Sequence, residues 1–307
     1  MRYSFFIIFM RTFVIGTRGS PLALAQAKFV EDYLLHHKIS LIIHPLKTTG
    51  DKIHDKPLYD IGGKALFSKE IEQCLLEKRA DIGVHSLKDL ETPRPKGLEL
   101  VTYLPRADAR DVLITRFDAK TNTVQGCSIR ELPDKATIGT SAPRRMAQLK
   151  HHRADLTIIP VRGNVGTRLS KLGHDYNGIV FAKAGLDRLG IQIDPQAILD
   201  MDTIVPAAGQ GIVAVECRCD DEEAKSLLRG MNDPHSEKAA LIERGYIERL
   251  PGTSCCSAVG VHASVTDEHI HIYVMREEEG RCMTFCHSFP KDTPHDHLWK
   301  VLLGNSF

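Results

Sequence analysis

The residues best suited to chemistry lie in short loops. His85-Ser86-Leu87-Lys88-Asp89 follows a β-rich segment, so a cation and a carboxylate stand side by side at the carboxyl end of a strand, where open α/β sheets bind ligands. Arg18, Arg144, Arg145, Arg162, Arg168 and Arg188 all fall just after expected strands or in the helical turns that follow. Arginine's planar fork pairs bidentately with a carboxylate, so this placement points to a substrate with several negative charges. Arg162-Gly163-Asn164-Val165-Gly166-Thr167-Arg168 is a glycine-relieved turn whose amides can approach an anion. It lacks the Gly-Lys-Ser/Thr of a nucleotide phosphate loop. A plainer reading stands beside this one, in which the arginines solubilise a surface and Lys88-Asp89 is a solvated pair.

The elements that must position these loops alternate between strand and helix. Thr12–Gly16 reads as a strand, Ser20 as an N-cap and Pro21 as the first helical residue, with Leu22, Ala25, Phe29 and Tyr33 on one face. Strands over Leu41–Thr49 and Asp81–His85 flank a helix over Ala65–Lys78. A second series runs Thr137–Gly139 (strand), Arg144–His152 (helix), Leu156–Val161 (strand), Val165–Leu172 (helix) and Ile179–Ala182 (strand). Such alternation predicts parallel sheets wrapped by helices. Ile15-Gly16-Thr17-Arg18 before Ser20-Pro21 is echoed by Ile138-Gly139-Thr140-Ser141 before Ala142-Pro143, and each is followed by Ala-Gln. Two similar domains facing each other would bring both turns and both helix N-termini to one cleft, an anion site. Beyond a strand at Gly211–Cys217 the pattern becomes an α+β tail: helices over Asp220–Arg229 and His235–Leu250, three β-rich stretches, and a last helix over Asp296–Leu303.

Composition bounds the function. Forty Lys+Arg against 39 Asp+Glu leave a formal net charge of +1, which argues against a general nucleic-acid coat. Eight cysteines with no Cys-x-x-Cys fit neither a disulfide scaffold nor a zinc tetrad, so no metal is expected. Period 2 would place Cys217 and Cys219 on one strand face. Phe5–Phe9 is too short for a signal-peptide core, and Arg11 interrupts it before a small-residue cleavage site; Met10 is an alternative start. No run approaches the ~20 apolar residues of a membrane span. The expectation is a cytoplasmic chain without membrane or nucleic-acid partners.

Thr17-Arg18-Gly19-Ser20-Pro21-Leu22-Ala23, Gly62-Gly63-Lys64-Ala65-Leu66-Phe67, His85–Asp89, Gly139-Thr140-Ser141, Arg144-Arg145, Arg162–Arg168 and Pro206-Ala207-Ala208-Gly209-Gln210-Gly211 resemble the porphobilinogen deaminase (hydroxymethylbilane synthase) family, in order from about Thr12 to about Ala263. The resemblance implies two similar doubly wound α/β domains like type II periplasmic binding proteins, plus a small α+β C-terminal domain. Their expected extents are 12–110 with 205–222, 111–204, and 223–307. It implies head-to-tail condensation of four porphobilinogen molecules on a covalent dipyrromethane primer, one per chain, with loss of ammonia and hydrolytic release of hydroxymethylbilane. Asp89 would be catalytic. Lys88, Ser141, Arg144, Arg145 and Arg168 would hold the primer. Arg18, Ser20, Gln26, Lys64, Arg162, Arg188 and Gln210 would hold substrate or growing chain. The enzyme would be a monomer needing no metal or nucleotide.

The primer thiol is assigned by register. Read back from Val259-Gly260-Val261-His262-Ala263 or forward from Leu250-Pro251-Gly252, the Ser-Cys position of the family falls on Ser254-Cys255, with Thr253 inserted and Cys256 following. Ala142 stands where the family has a second Ser, Ala65 where it has Gly, and Leu90-Glu91 where it has Val-Pro. None of these departures removes a charge the chemistry needs. Two other readings remain open on the residues alone: a non-catalytic two-domain binder of an anionic small molecule, and a nucleotide- or phosphosugar-handling transferase.

Overall fold

The computed structural model describes residues 11–52, 67–250 and 257–304; Lys64, Ala65, Cys255 and Cys256 lie outside them. The chain begins with β1 (Phe13–Arg18) and α1 (Pro21–His36). Ser20 Oγ accepts the Ala23 amide at 3.3 Å and Pro21 opens the helix, so the expected cap is present. There follow β2 (Leu41–Leu46), α2 (Thr49–Lys52), α3 (Lys69–Leu76), β3 (Ile82–Ser86), a one-turn 3-10 helix over Leu87–Asp89, and β4 (Leu98–Tyr103). The chain then crosses to a second sheet. Its strands are β5 (Asp111–Asp118), β6 (Thr123–Gly126), β7 (Thr137–Gly139), β8 (Thr157–Ile159), β9 (Gly178–Ala182) and β10 (Gln192–Ile193). Helices α4 (Pro143–His152), α5 (Val165–Leu169) and α6 (Lys183–Asp187) follow β7, β8 and β9. β11 (Val213–Arg218) returns to the first sheet.

The two sheets share one plan. The first is ordered β2-β1-β3-β11-β4 and the second β8-β7-β9-β5-β6, with β10 beyond β6. In each, a parallel trio forms one side of the sheet, β1 with β2 and β3, β7 with β8 and β9. The sequence predicted parallel sheets, but β11 pairs antiparallel with β3 and β5 antiparallel with β9. Both are the strands that enter from the other domain. They arrive without a βαβ return, so nothing obliges them to run parallel. The echoed Gly-Thr turns occupy equivalent places, at the ends of β1 and β7 and ahead of α1 and α4.

The first core buries Phe13, Ile15, Val30, Leu34, Ile82 and Val215, and also Ala224 and Leu228 of α7 (Glu222–Arg229). The expected boundary at 223 therefore cuts α7 from the sheet it covers; its apolar face packs on the first domain. Cys217 is buried there, whereas Cys219 lies past the strand end and is exposed, so the two thiols do not share a strand face. The last unit packs α8 (Pro234–Arg249) and α9 (His295–Gly304) on the antiparallel sheet β12 (Val259–Val265), β13 (His269–Glu278) and β14 (Arg281–Pro290). Tyr246, Val261, Ile272 and Leu298 are among its buried residues. Among the described residues no helix is long and apolar enough to cross a membrane.

Candidate active site

The cleft floor is the turn after β3. Leu87 is wholly buried and its amide donates to Ile212 O at 3.0 Å, which leaves Lys88 and Asp89 exposed to the cleft. Gly209, at φ +73°, packs on Leu87; a Cβ there would come within 2.7 Å of Leu87 Cγ, so close approach and backbone angle both require glycine. Asp89 lines one cavity with Arg18, Ser20 and Gln26, and has no hydrogen bond to the described residues. The Arg18 guanidinium lies 4.2 Å from the centroid of the Phe67 ring. A second cavity is lined by Lys88, Arg145, Arg168 and Arg188. Gln26 and Ser86 border both, joined by hydrogen bonds of 2.8 and 3.1 Å. Ser20 is engaged as the α1 cap.

Three cations of the second cavity, Lys88, Arg168 and Arg188, are short of counter-charge. Lys88 can be reached by solvent, yet protein surrounds it at longer range, and this desolvation pushes its pKa down to about 8. Its Nζ donates to Gln210 Oε1 at 3.3 Å. Arg168 is drawn down to about 10 by burial, then by repulsion from Arg145, and its buried Nε has no hydrogen-bond partner among the described residues. Burial takes Arg188 to about 10 as well; its Nη2 donates to Gly211 O at 2.6 Å, tying the end of α6 to the loop before β11. Burial also lowers the pKa of Arg162, which is half-buried.

Arg144 and Arg145 are placed differently. Both are buried, and both pair with the fully buried Asp111, at 2.9 Å from Arg144 and 2.7 Å from Arg145. Arg144 also donates to Val205 O at 2.5 Å and Arg145 to Val180 O at 2.9 Å. Gln210 Nε2 completes the carboxylate's shell at 2.7 Å. Burial alone would raise the pKa of Asp111, but the two arginines outweigh it and hold the carboxyl below its ordinary range. Arg145 reaches the second cavity, and Arg144 stands behind it. Ser141 is engaged within its domain, donating to Val161 O at 2.9 Å and accepting from Val161 N at 3.1 Å.

The structure thus brings Asp89, Lys88, Arg18, Ser20, Gln26, Arg145, Arg168, Arg188 and Gln210 to one cleft; Lys64 and Cys255 lie outside the described residues. Sequence reasoning missed Asp111 and the pairing of Gln26 with Ser86. A signal for Asp111 existed: an acid directly before the apolar run Val112-Leu113-Ile114 sits at the mouth of a buried strand, where a charge needs a partner.

Two α/β domains around a cleft where Lys88, Arg168 and Arg188 lack full counter-charge, with Asp89 in the adjoining cavity, are the features of the class of proteins that bind polyanions. Residues 13–226 match the family described as porphobilinogen deaminase, dipyrromethane cofactor binding domain. The porphobilinogen deaminase of Nitrobacter winogradskyi is 42% identical over 261 residues, 83% of this chain and 80% of that protein. Similar solved structures include an ABC-transporter periplasmic substrate-binding protein from Coxiella burnetii (14% identity, TM-score 0.42, covering 76% of this chain and 97% of that one). Another is the VFT2 domain of BvgS from Bordetella pertussis (13% identity, TM-score 0.41, covering 71% and 84%). The chain belongs to the porphobilinogen deaminase family. It is a transferase of tetrapyrrole synthesis, and the matched region is the domain that binds the dipyrromethane cofactor.

Proposed function

We propose that the chain is a hydroxymethylbilane synthase, which joins four porphobilinogen molecules head to tail on a dipyrromethane primer and frees the linear tetrapyrrole by hydrolysis. The observation that carries this reading is the gathering of Lys88, Arg145, Arg168 and Arg188 around one cavity, with Asp89 lining its neighbour. Each pyrrole carries an acetate and a propionate. A carboxylate restores the charged state of a cation that burial disfavours, so this cavity prefers a polyanion to water. The primer fits such a site. Lys88, Arg145 and Arg168 take its carboxylates; Arg144 acts from behind Arg145, and Ser141 on the same turn. When bound, the primer supplies the free pyrrole carbon on which the chain grows.

Arg18, Ser20, Gln26, Arg162 and Arg188, with Lys64 and Gln210, hold the incoming unit and the lengthening product. In porphobilinogen the C–N bond of the protonated aminomethyl group breaks with its electron pair on nitrogen, ammonia departs, and the pyrrole is left cationic. Asp89 provides the counter-charge. At ~4 Å and an effective dielectric of ~20 the attraction is ~4 kcal/mol, about a thousandfold in rate if realised only in the transition state. The exposed carboxylate can also carry a proton between the departing amine and the coupled ring carbon.

A thioether to Cys255, a cytoplasmic location, a monomeric state and no nucleic-acid partner complete the proposal. Acid p-dimethylaminobenzaldehyde should give a pyrrole colour with the purified chain, and porphobilinogen should be consumed. Peptide mapping should find the dipyrromethane mass on Cys255, retained in Cys256→Ser and lost in Cys255→Ser. No colour and no turnover would leave a non-catalytic binder of an anionic small molecule.

A further inference from the structure

The turn that carries Asp89 is gripped from behind by the third domain. It is a single turn of 3-10 helix, closed by the Leu90 amide donating to Leu87 O at 3.1 Å. Its N-terminal side is fixed by the buried Leu87 and its bond to Ile212. Its C-terminal side is fixed by a side chain from another domain. Arg244 of α8 donates through Nη1 to Leu90 O at 3.0 Å and through Nη2 to Glu91 O at 2.8 Å. Among the described residues no carboxylate lies within ion-pair distance of Arg244, which is half-buried and has its pKa lowered by desolvation. A guanidinium withdrawn from water depends on its acceptors being in place, so the carbonyls at 90–91 and α8 hold each other in register.

Two further contacts strengthen the grip. Arg94 donates to Glu91 O at 3.3 Å while pairing with Glu72 at 2.7 Å and Glu216 at 2.5 Å. Glu243, the residue before Arg244, accepts the Gly209 amide at 2.6 Å and so holds the loop that brings Gln210 to Lys88. Consecutive residues of α8 therefore reach the loops on both sides of Lys88-Asp89.

We propose that Arg244 is a positioning residue for the reaction, setting the place of Asp89 relative to the third domain through the carbonyls of Leu90 and Glu91. The proposal rests on the catalytic reading of Asp89 above. It is tested on the holoenzyme with Arg244→Met and Arg244→Lys by two measurements: amide hydrogen exchange of the peptide spanning 86–94, and kcat and KM at equal dipyrromethane content. Arg244→Met should speed exchange at 86–94 by about tenfold or more, with the sheets still protected. It should lower kcat by about tenfold or more and leave KM within about twofold, because misplacement of a reacting group affects the chemical step. Lysine, able to reach one carbonyl, should recover part of both effects, and it carries both measurements should the methionine variant not accumulate. Unchanged exchange at 86–94 overturns the anchor. Faster exchange with unchanged kcat, or a kcat loss that only tracks the loss of folded, loaded protein, overturns its role in the reaction. A wild-type chain that leaves porphobilinogen untouched sinks the proposed function instead, and the exchange measurement still decides whether Arg244 anchors the turn.

Discussion

Two charged regions lie side by side in this molecule, bridged by Gln210, and they are built on opposite principles. Around Asp111 the ionic groups are closed on themselves: a buried carboxylate meets Arg144, Arg145 and Gln210, and every contact is short. Around Asp89 the groups are open: among the described residues the carboxylate makes no hydrogen bond, Arg168 Nε has no hydrogen-bond partner, and Lys88 donates only to an amide oxygen. The first arrangement stabilises the fold and leaves a ligand only the cavity side of Arg145. The second is poorly satisfied without a ligand, which is what an anion site requires. Charge available to a substrate is therefore marked by missing partners and cannot be judged by the number of arginines.

The sharpest way to break this contrast is to remove one carboxylate from each region. Asp111→Asn strands two buried guanidinium groups and should cost about 3–5 kcal/mol. Thermal or denaturant unfolding of the variant should show it, or the variant should fail to accumulate. Because Asp111 is held below its ordinary range, this contribution is present at neutral pH and disappears only as pH falls through that depressed value. Asp89→Asn should do the reverse, leaving the unfolding midpoint in place while turnover falls by about a hundredfold or more. Equal losses of stability in the two variants would erase the distinction between the regions.

How much of this was legible in the sequence follows the same divide. The strand–turn–helix echo at Gly16-Thr17 and Gly139-Thr140 is a local pattern, and the structure places both copies at equivalent ends of similarly ordered sheets. The cleft position of Lys88-Asp89 could be read from a strand followed by a charged turn. What could not be read was pairing between distant segments. Asp111 meets Arg144 and Arg145 only because β5 runs antiparallel to β9, and no expected strand covered β5. Arg144 and Arg145 look alike with Arg168 in the sequence, and only burial against Asp111 separates them. The Arg244 contacts depend on how α8 meets the 90–94 segment, a docking geometry with no periodic signature.

Arg168→Met sharpens the comparison from the other side. It removes a desolvated cation that lacks a full set of partners, so stability should hold or rise slightly. Anion binding should weaken by about 1.5–3 kcal/mol, the usual value of hydrogen bonds to charged groups. Native mass spectrometry after limited porphobilinogen addition should show poorer retention of primer or early intermediates. Arg162→Leu should instead accumulate partly elongated species if it serves the growing chain. A ladder identical to wild type in both variants would make these arginines surface charges.

The smallest effect concerns pH and Lys88. In the chain without ligand its pKa is about 8, lowered by desolvation, so it is mostly charged at pH 7 and mostly neutral at pH 9. An anion binds the charged form and draws the pKa back up, so binding above pH 8 must take up a proton. Loading of primer by the apo chain should therefore weaken by roughly a factor of ten per pH unit above about 8, since one unit corresponds to about 1.4 kcal/mol. The sign follows from the charge: a lysine must be protonated to attract an anion, so the attraction falls as pH rises, and the lowered pKa brings that loss down to about 8. Lys88→Arg keeps its charge throughout this range and should flatten the profile, while Lys88→Met should flatten it at the weaker level. Titration of primer loading from pH 7 to 9.5 decides the matter. A wild-type profile with no inflection near 8, or the same inflection in Lys88→Arg, would show that Lys88 does not face the bound anion.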